Sequence, residues 1–179
     1  MIDSTLLKLL RKRRSIRQFA DRPVETDKIE ALIEAAVRTP TSRARNPWDF
    51  IVVTDAILLG QLGKAKQHGS AFLAGAPLAI VVAADPGKSD VWTEDCSIAA
   101  MVLQLVAEDL GLGSCWVQIR LRPHDAEHSA EQYLKELLDL PAPHTVECIL
   151  AIGYPAEEKT GHALAQLPFD QVHRNRYGS

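Results

Sequence analysis

The sequence predicts an α+β protein. Four strand-like segments, at residues 48–53, 77–84, 114–119 and 146–154, are separated by helical patterns of unequal number and length. The regular strand–helix alternation of a doubly wound parallel sheet is missing. One of the four, PLAIVVAA at 77–84, is apolar throughout, as a strand covered on both faces must be. One helical segment, from Thr93 to Leu110, is apolar almost all round, with only Gln104 breaking its middle. A helix without a polar face has to be wrapped on every side, and a subunit interface would supply the side that a small domain lacks.

Taken in order, Leu6, Leu7, Leu9 and Leu10 form the apolar face of a short helix capped by Asp3 or Ser4. The basic run RRSIRQF follows as an irregular or extended connection. Pro23 breaks the chain before a second helix, where Asp27 and Glu30 have capping-box spacing and Ile29, Leu32, Ile33 and Ala36 make the stripe. That helix stops near Thr39-Pro40, and the loop TPTSRARNP leads into the first strand. A helix is expected over Ala56 to Lys66, and another over Pro123 to Asp139 with Leu134, Leu137 and Leu138 inward. Gly111 offers a left-handed cap to the apolar helix. The segment from Glu157 to Ser179 is polar, with isolated apolar residues.

At 179 residues, 46% of them hydrophobic and 24% charged, the chain can bury a core without disulfides or metals, and it reads as one domain, 1–179. A net charge of −3 argues against a general nucleic-acid binder. No apolar run reaches the ~20 residues that span a bilayer. The N-terminal MIDSTLLKLLRKRR carries its charges after its apolar residues, the reverse of a signal peptide, so a cytoplasmic location is expected. Cys96, Cys115 and Cys148 are odd in number, far apart and without a CxxC, which suggests buried reduced thiols.

The chemistry concentrates at Arg13-Arg14-Ser15-Ile16-Arg17-Gln18-Phe19. Three guanidinium groups and a hydroxyl within five residues suit phosphate oxygens, so the cluster wants an anion, and a phosphorylated cofactor is the obvious one. With TPTSRARNPWDF, GAPLAIVVAAD, GLGSCWVQIR and CILAIGYP following in order, the chain resembles the nitroreductase family of FMN-dependent oxidoreductases over essentially its whole length. The resemblance implies a sandwich built on a mainly antiparallel central sheet flanked by helices, and an intertwined homodimer with two FMN sites at its interface. It implies that Arg13, Arg14 and Ser15 contact the FMN phosphate and ribityl chain, and that Arg17 reaches the pyrimidine edge of the ring. Pro40, Thr41 and Ser42 would pass beside the flavin of the partner subunit, with Asn46 nearby. The backbone at Gln118-Ile119 would pass near flavin N5. Arg174 and Arg176 match a basic pair that closes on the phosphate. The implied activity carries electrons from NAD(P)H through the flavin to a nitroaromatic, quinone or similar small acceptor, by a ping-pong mechanism. No side chain is expected as an indispensable acid or base, because the flavin carries the chemistry.

One position departs from the family pattern. The asparagine usual two residues after the loop's second serine is Ala44 here, and Ala44 has no side-chain donor or acceptor. Ala44 leaves open a flavin-binding protein with little turnover, and a specialised member that dehalogenates or modifies flavin is the alternative within the fold. His124 and His128 lie four residues apart, as metal ligands on a helix can, but no third ligand accompanies them and no metal is expected.

Overall fold

A computed structural model describes residues 4–178. Asp3, the other candidate cap of the first helix, lies outside the described residues. The elements run α1 (Thr5–Lys12), α2 (Thr26–Val37), β1 (Trp48–Val53), α3 (Ala56–Leu62), β2 (Leu78–Ala84), α4 (Trp92–Asp109), β3 (Gly113–Gln118), α5 (Ala130–Leu137) and β4 (Thr145–Gly153). The strands form one antiparallel sheet in the order β1-β2-β4-β3.

Strand alternation divides the core in two. Leu78, Ile80, Val82 and Ala84 of β2 pack with Leu32 and Ala36 of α2 and with Cys96, Ala100, Leu103 and Ala107 of α4. Ala79, Val81 and Ala83 face Leu59 and Leu62 of α3 and Leu134 of α5 on the other side. Every residue of β2 and β4 is buried, which explains their unbroken apolar sequences. In β4 the parity changes at Glu147: Val146 faces the α3 side, whereas Cys148, Leu150 and Ile152 face α4. A bulge causes this, since Ala83 pairs Val146 and Val82 pairs Cys148, leaving Glu147 as the extra residue.

Ser4 caps α1 through its hydroxyl, which accepts from Leu7 N at 3.4 Å. The capping box expected from Asp27 and Glu30 does not form. The N-cap of α2 is Glu25, and its carboxylate is drawn away to Arg22 at 2.5 Å and to the Tyr154 hydroxyl at 2.6 Å. α3 stops at Leu62, short of Lys66, because the chain turns at Gly63 and Ser70 captures the Gly63 and Lys66 carbonyls at 2.9 and 3.2 Å. α5 begins at Ala130 and not at Pro123. Asp125 Oδ1 takes the Glu127 and His128 amides at 2.8 and 2.7 Å, a side-chain turn that competes with the helix until Ser129 caps it. Gly111 does take the left-handed conformation after α4, at φ 75°. One chain does not enclose α4: Ile98 is exposed, and Met101, Val102, Leu105 and Val106 are half-buried. Among the described residues no helix is long and apolar enough to cross a membrane.

Candidate functional site

The basic segment is held in an extended conformation along the open edge of β3. Arg13 ends α1 at φ −54°, ψ 129°, and Ser15 then bridges Ser114 in parallel, with Ile16 N donating to Ser114 O at 3.0 Å. The chain next crosses the end of β4, where Ala156 N donates to Gln18 O and Ala20 N to Tyr154 O. Glu157 Oε1 accepts from Arg17 N at 2.6 Å, and Lys159 Nζ donates to Ser15 O at 2.8 Å. Glu157 also accepts from Lys159, and the Arg17 amide holds its carboxyl below the usual range.

Alternation along an extended segment sends successive side chains to opposite sides. Ile16 is buried, and Arg14 turns with it, its guanidinium donating to Thr160 O. Both line a cleft with Lys12, Glu108 and Lys159. Arg13, Ser15 and Arg17 instead lie near enough to Cys115 on β3 to act on its thiol. Burial raises the Cys115 thiol, while Arg17, the Ser15 hydroxyl, Lys159 and Arg13 pull the other way. Arg17 also lies 5.8 Å over the Phe72 ring, a cation–π contact that steadies its fork. Lys66, in the turn after α3, feels both Cys115 and Arg122, and burial lowers its affinity for a proton. Four cations and a hydroxyl thus converge on one edge strand.

Farther along β3, Trp116 Nε1 donates to Gln118 Oε1 at 2.9 Å, and Gln118 Nε2 donates to Arg120 O at 3.1 Å. The Gln118 side chain is therefore occupied, and Ile119 is buried with its amide on Glu147 O at 3.3 Å. What this strand end offers to a ligand is backbone.

The loop before β1 forms a second, separate cluster. Thr41 Oγ1 donates to Asn46 Oδ1 at 2.9 Å and accepts from Asn46 N at 3.1 Å, closing the loop on itself. Ser42 N donates to the buried Asp95 of α4 at 2.9 Å, and Ser89 donates to the same carboxylate at 3.2 Å. Within this loop Arg43, Ala44 and Asn46 all have positive φ, at 52°, 53° and 46°. Such values cost non-glycine residues of the order of 1 kcal/mol each and persist only where the surroundings impose them. Pro40 is exposed beside them.

The sheet order keeps the two clusters apart. β3 carries the basic segment at one edge, at the Gly153 end of β4, while the loop enters β1 at the other edge, beside Ala84 and Thr145. Arg174 and Arg176 lie on the exposed C-terminal tail, beyond two single 3-10 turns.

Lys66, Lys159 and Glu157 belong to the basic cluster, and sequence reasoning missed all three. Cys115 was legible only as an inward position of a strand. The long separations hide the rest, since Ser15 and Lys159 are 144 residues apart. Burial pushes the Cys96 thiol up to about 12 and the Cys148 thiol well above its ordinary value, which disfavours the nucleophilic thiolate at both. His124 and His128 sit in the turn before α5, where His124 Nδ1 donates to Ala65 O at 3.1 Å and His128 pairs with Asp125. Among the described residues no group of three or more His, Cys, Asp or Glu is placed to hold a metal.

The chain matches the family model described as the nitroreductase family over residues 10–68 and 58–154. A protein of Archaeoglobus fulgidus named NADH dehydrogenase/NAD(P)H nitroreductase is 36% identical over 176 residues, covering 96% of this chain and 98% of the relative. The solved structure of an FMN-dependent nitroreductase from Clostridium difficile superposes with a TM-score of 0.94 at 45% identity, covering 96% and 99% of the two chains. A structure of an NADH dehydrogenase/NAD(P)H nitroreductase from Parabacteroides distasonis gives 0.88 at 33% identity, covering 98% and 100%. With its antiparallel sheet sandwiched between helices and its basic strand along β3, this chain belongs to the nitroreductase family.

Proposed function

We propose that the protein is an FMN-dependent oxidoreductase that takes electrons from NAD(P)H and passes them in alternating half-reactions to a nitroaromatic, quinone or similar small acceptor. The names of its relatives support the NAD(P)H-linked and FMN-linked parts. The observation that carries the reading is the basic segment laid along the edge of β3, with Ser15 bridged to Ser114 and Lys159 bonded to Ser15 O, and with Arg13, Arg17 and Lys66 near enough to act on the same edge. That donor set fits FMN: forked and point cations with a hydroxyl for a phosphate dianion, then a stretch of strand backbone for a flat ring. Bound there, FMN would accept hydride from a nicotinamide and deliver electrons to an acceptor.

The residues of this chain have distinct parts in that reading. Arg13, Ser15 and Lys159 hold the phosphate and ribityl arm, and Arg174 and Arg176 close on it from the tail. Arg14, bonded to Thr160, acts by fixing the tail against the basic segment. Arg17 and Lys66 supply positive charge toward the ring, which stabilises the negative charge gained on reduction. The backbone of Gln118 and Ile119 supports the ring edge. Pro40, Thr41, Ser42 and Asn46 act on the ring of a partner chain in a homodimer, since they stand at the far corner of their own sheet. The protein works as a single domain in the cytoplasm.

Purified protein should be yellow, or turn yellow with added FMN, and NADH or NADPH should bleach it without oxygen. A preparation that takes up no FMN at saturating concentration overturns the reading. One that binds FMN but is bleached by neither nucleotide overturns its electron-donor part.

A further inference from the structure

Behind the strand end proposed to support the flavin lies a buried acid that no step above uses. Glu147 is the extra residue of the β4 bulge, and a bulge re-aims the side chain it carries. Its residue is 4% exposed, and its Oε2 has no hydrogen-bond partner. The nearest cation is Arg120, whose Nε stands 3.9 Å away, beyond hydrogen-bond length. The Arg120 guanidinium in turn lies 5.7 Å over the Trp92 ring of α4. The Glu147 carbonyl accepts from both Ile119 N and Arg120 N, at 3.3 and 3.1 Å. One residue therefore holds the end of β3 through its backbone and addresses Arg120 through its side chain.

The charged and titratable groups around this carboxyl come from three elements. Arg120 is on the end of β3, Glu94 and Cys96 are on α4, and Cys148 is its neighbour on β4. The Gln118 amide stands close enough to act on it as well. Burial favours the protonated form and Glu94 assists it, whereas Arg120 and Gln118 favour the carboxylate. The balance lies on the side of burial, so the carboxyl holds its proton to higher pH than an ordinary glutamate.

Resting on the flavin reading above, we propose that Glu147 is a proton-operated positioning residue: its carboxylate draws Arg120 inward and so fixes the strand end Gln118–Arg120 against which the flavin ring lies. Ionised, it anchors the guanidinium between itself and Trp92. Protonated, it releases Arg120 toward solvent, and the strand end loses its side-chain brace while keeping its backbone bonds.

Trp92 and Trp116 report on this without any flavin, because one lies under Arg120 and the other is bonded to Gln118. The tryptophan emission of the FMN-free protein should show a transition between pH 4.5 and 8, with its midpoint above the ordinary carboxylate value. Glu147→Gln should abolish it. Arg120→Gln should move it to higher pH, because the cation that favours ionisation is gone. Fluorescence titration with FMN should then give a Kd for Glu147→Gln about tenfold above the wild-type value at pH 8, roughly the worth of one buried hydrogen bond. The ratio should fall toward one near pH 4.5, and the titration of the FMN phosphate cancels in it. A transition that survives in Glu147→Gln, or a Kd ratio that is the same at both pH values, overturns the proposal. If Glu147→Gln does not fold, a transition unmoved by Arg120→Gln overturns it. Failure of the wild type to bind FMN would sink the flavin reading, while the emission transition of the free protein would still decide the Glu147–Arg120 brace.

Discussion

One added methyl group at Gly113 is expected to pull the basic segment away from the sheet. A Cβ built there stands 2.8 Å from Cβ and Cγ1 of Ile16 and 3.0 Å from its Cγ2, well inside the 3.4–4 Å of ordinary contact. Ile16 is β-branched and stiff at χ1, so the clash cannot be relieved by swinging a flexible end. The glycine is not in the left-handed region, so the whole effect comes from this contact. Two relaxations are open. The sheet can absorb the overpacking at a cost of about 1–3 kcal/mol. Otherwise Ile16 leaves its site, losing about 1.5–3 kcal/mol of burial and a backbone bond to Ser114 worth about 1 kcal/mol. The second route carries Arg13, Ser15 and Arg17 with it, since they alternate with Ile16. Gly113→Ala should therefore lower stability by about 2 kcal/mol and raise the FMN Kd by roughly ten- to a hundredfold, at 1.4 kcal/mol per decade. Urea denaturation reads the first and flavin fluorescence quenching the second. Gly111→Ala is the control: at φ 75° with open space around it, it costs about 1 kcal/mol of backbone strain and should leave FMN affinity unchanged. If Gly113→Ala binds FMN as the wild type does, or if Gly111→Ala loses it equally, the link from Ile16 to the cationic cluster is refuted.

Gly60 lies inside α3 with nothing within 4 Å of an added Cβ, so Gly60→Ala should stabilise the fold by up to about 1 kcal/mol, seen as a higher Tm in a thermal melt. Asp95→Ala should cost about 1–3 kcal/mol by stranding the Ser42 amide and Ser89 hydroxyl. Trypsin should then cut faster at Arg43 and Arg45, and an unchanged cleavage rate would refute the anchoring role. The Tyr154 hydroxyl, its own backbone and Arg22 hold the Glu25 carboxyl at about 2, below its ordinary 4.5. A depressed carboxyl contributes stability that is present above 4.5 and lost as the pH falls toward 2. Glu25→Gln should therefore flatten that part of the acid limb of a denaturation series between pH 6 and 2.5.

Strands were the legible part of this fold, because burial on both faces writes itself into an unbroken apolar run such as 77–84. α4 was legible as well, within a residue at each end. Local capping was not. Asp27 and Glu30 have the right spacing, yet the cap fell to Glu25, whose carboxylate is committed to Tyr154, 129 residues away. At 123–129 the outcome turned on Asp125 capturing two amides, a local competition that periodicity does not weigh. The candidate site divides the same way. Arg13, Ser15 and Arg17 share a short segment and read as one basic cluster, whereas Lys66, Glu157 and Lys159 reach that segment only through the folded chain. Arg14, read from composition as one of the same cluster, has its guanidinium bonded to Thr160 O across 146 residues, a contact that no local pattern announces.

The topology bears directly on why this protein would act as a pair. β1 and β3 are the two edges of a four-stranded sheet, and the loop at 40–46 and the basic segment stand at its diagonal corners. With about 4.8 Å between strands and 3.3 Å per residue along the nine residues of β4, those corners are roughly 30 Å apart. One small ligand cannot touch both. A two-fold pairing that sets the loop of one chain against the β3 edge of the other would complete two equivalent sites at once, because such an interface uses the same patches on both partners. The surface such a pairing needs is present: Ile98 and the half-buried Met101, Val102 and Leu105 on α4, Leu6, Leu7 and Leu10 on α1, and Leu164, Leu167, Phe169 and Val172 on the tail. Isolated exposed apolar residues need no explanation, but an apolar helix face with four apolar side chains on the tail beside it is the kind of surface a second copy would cover. In such a pair flavin binding and association are linked by mass action, so FMN would strengthen the dimer by as much as the dimer strengthens its hold on FMN.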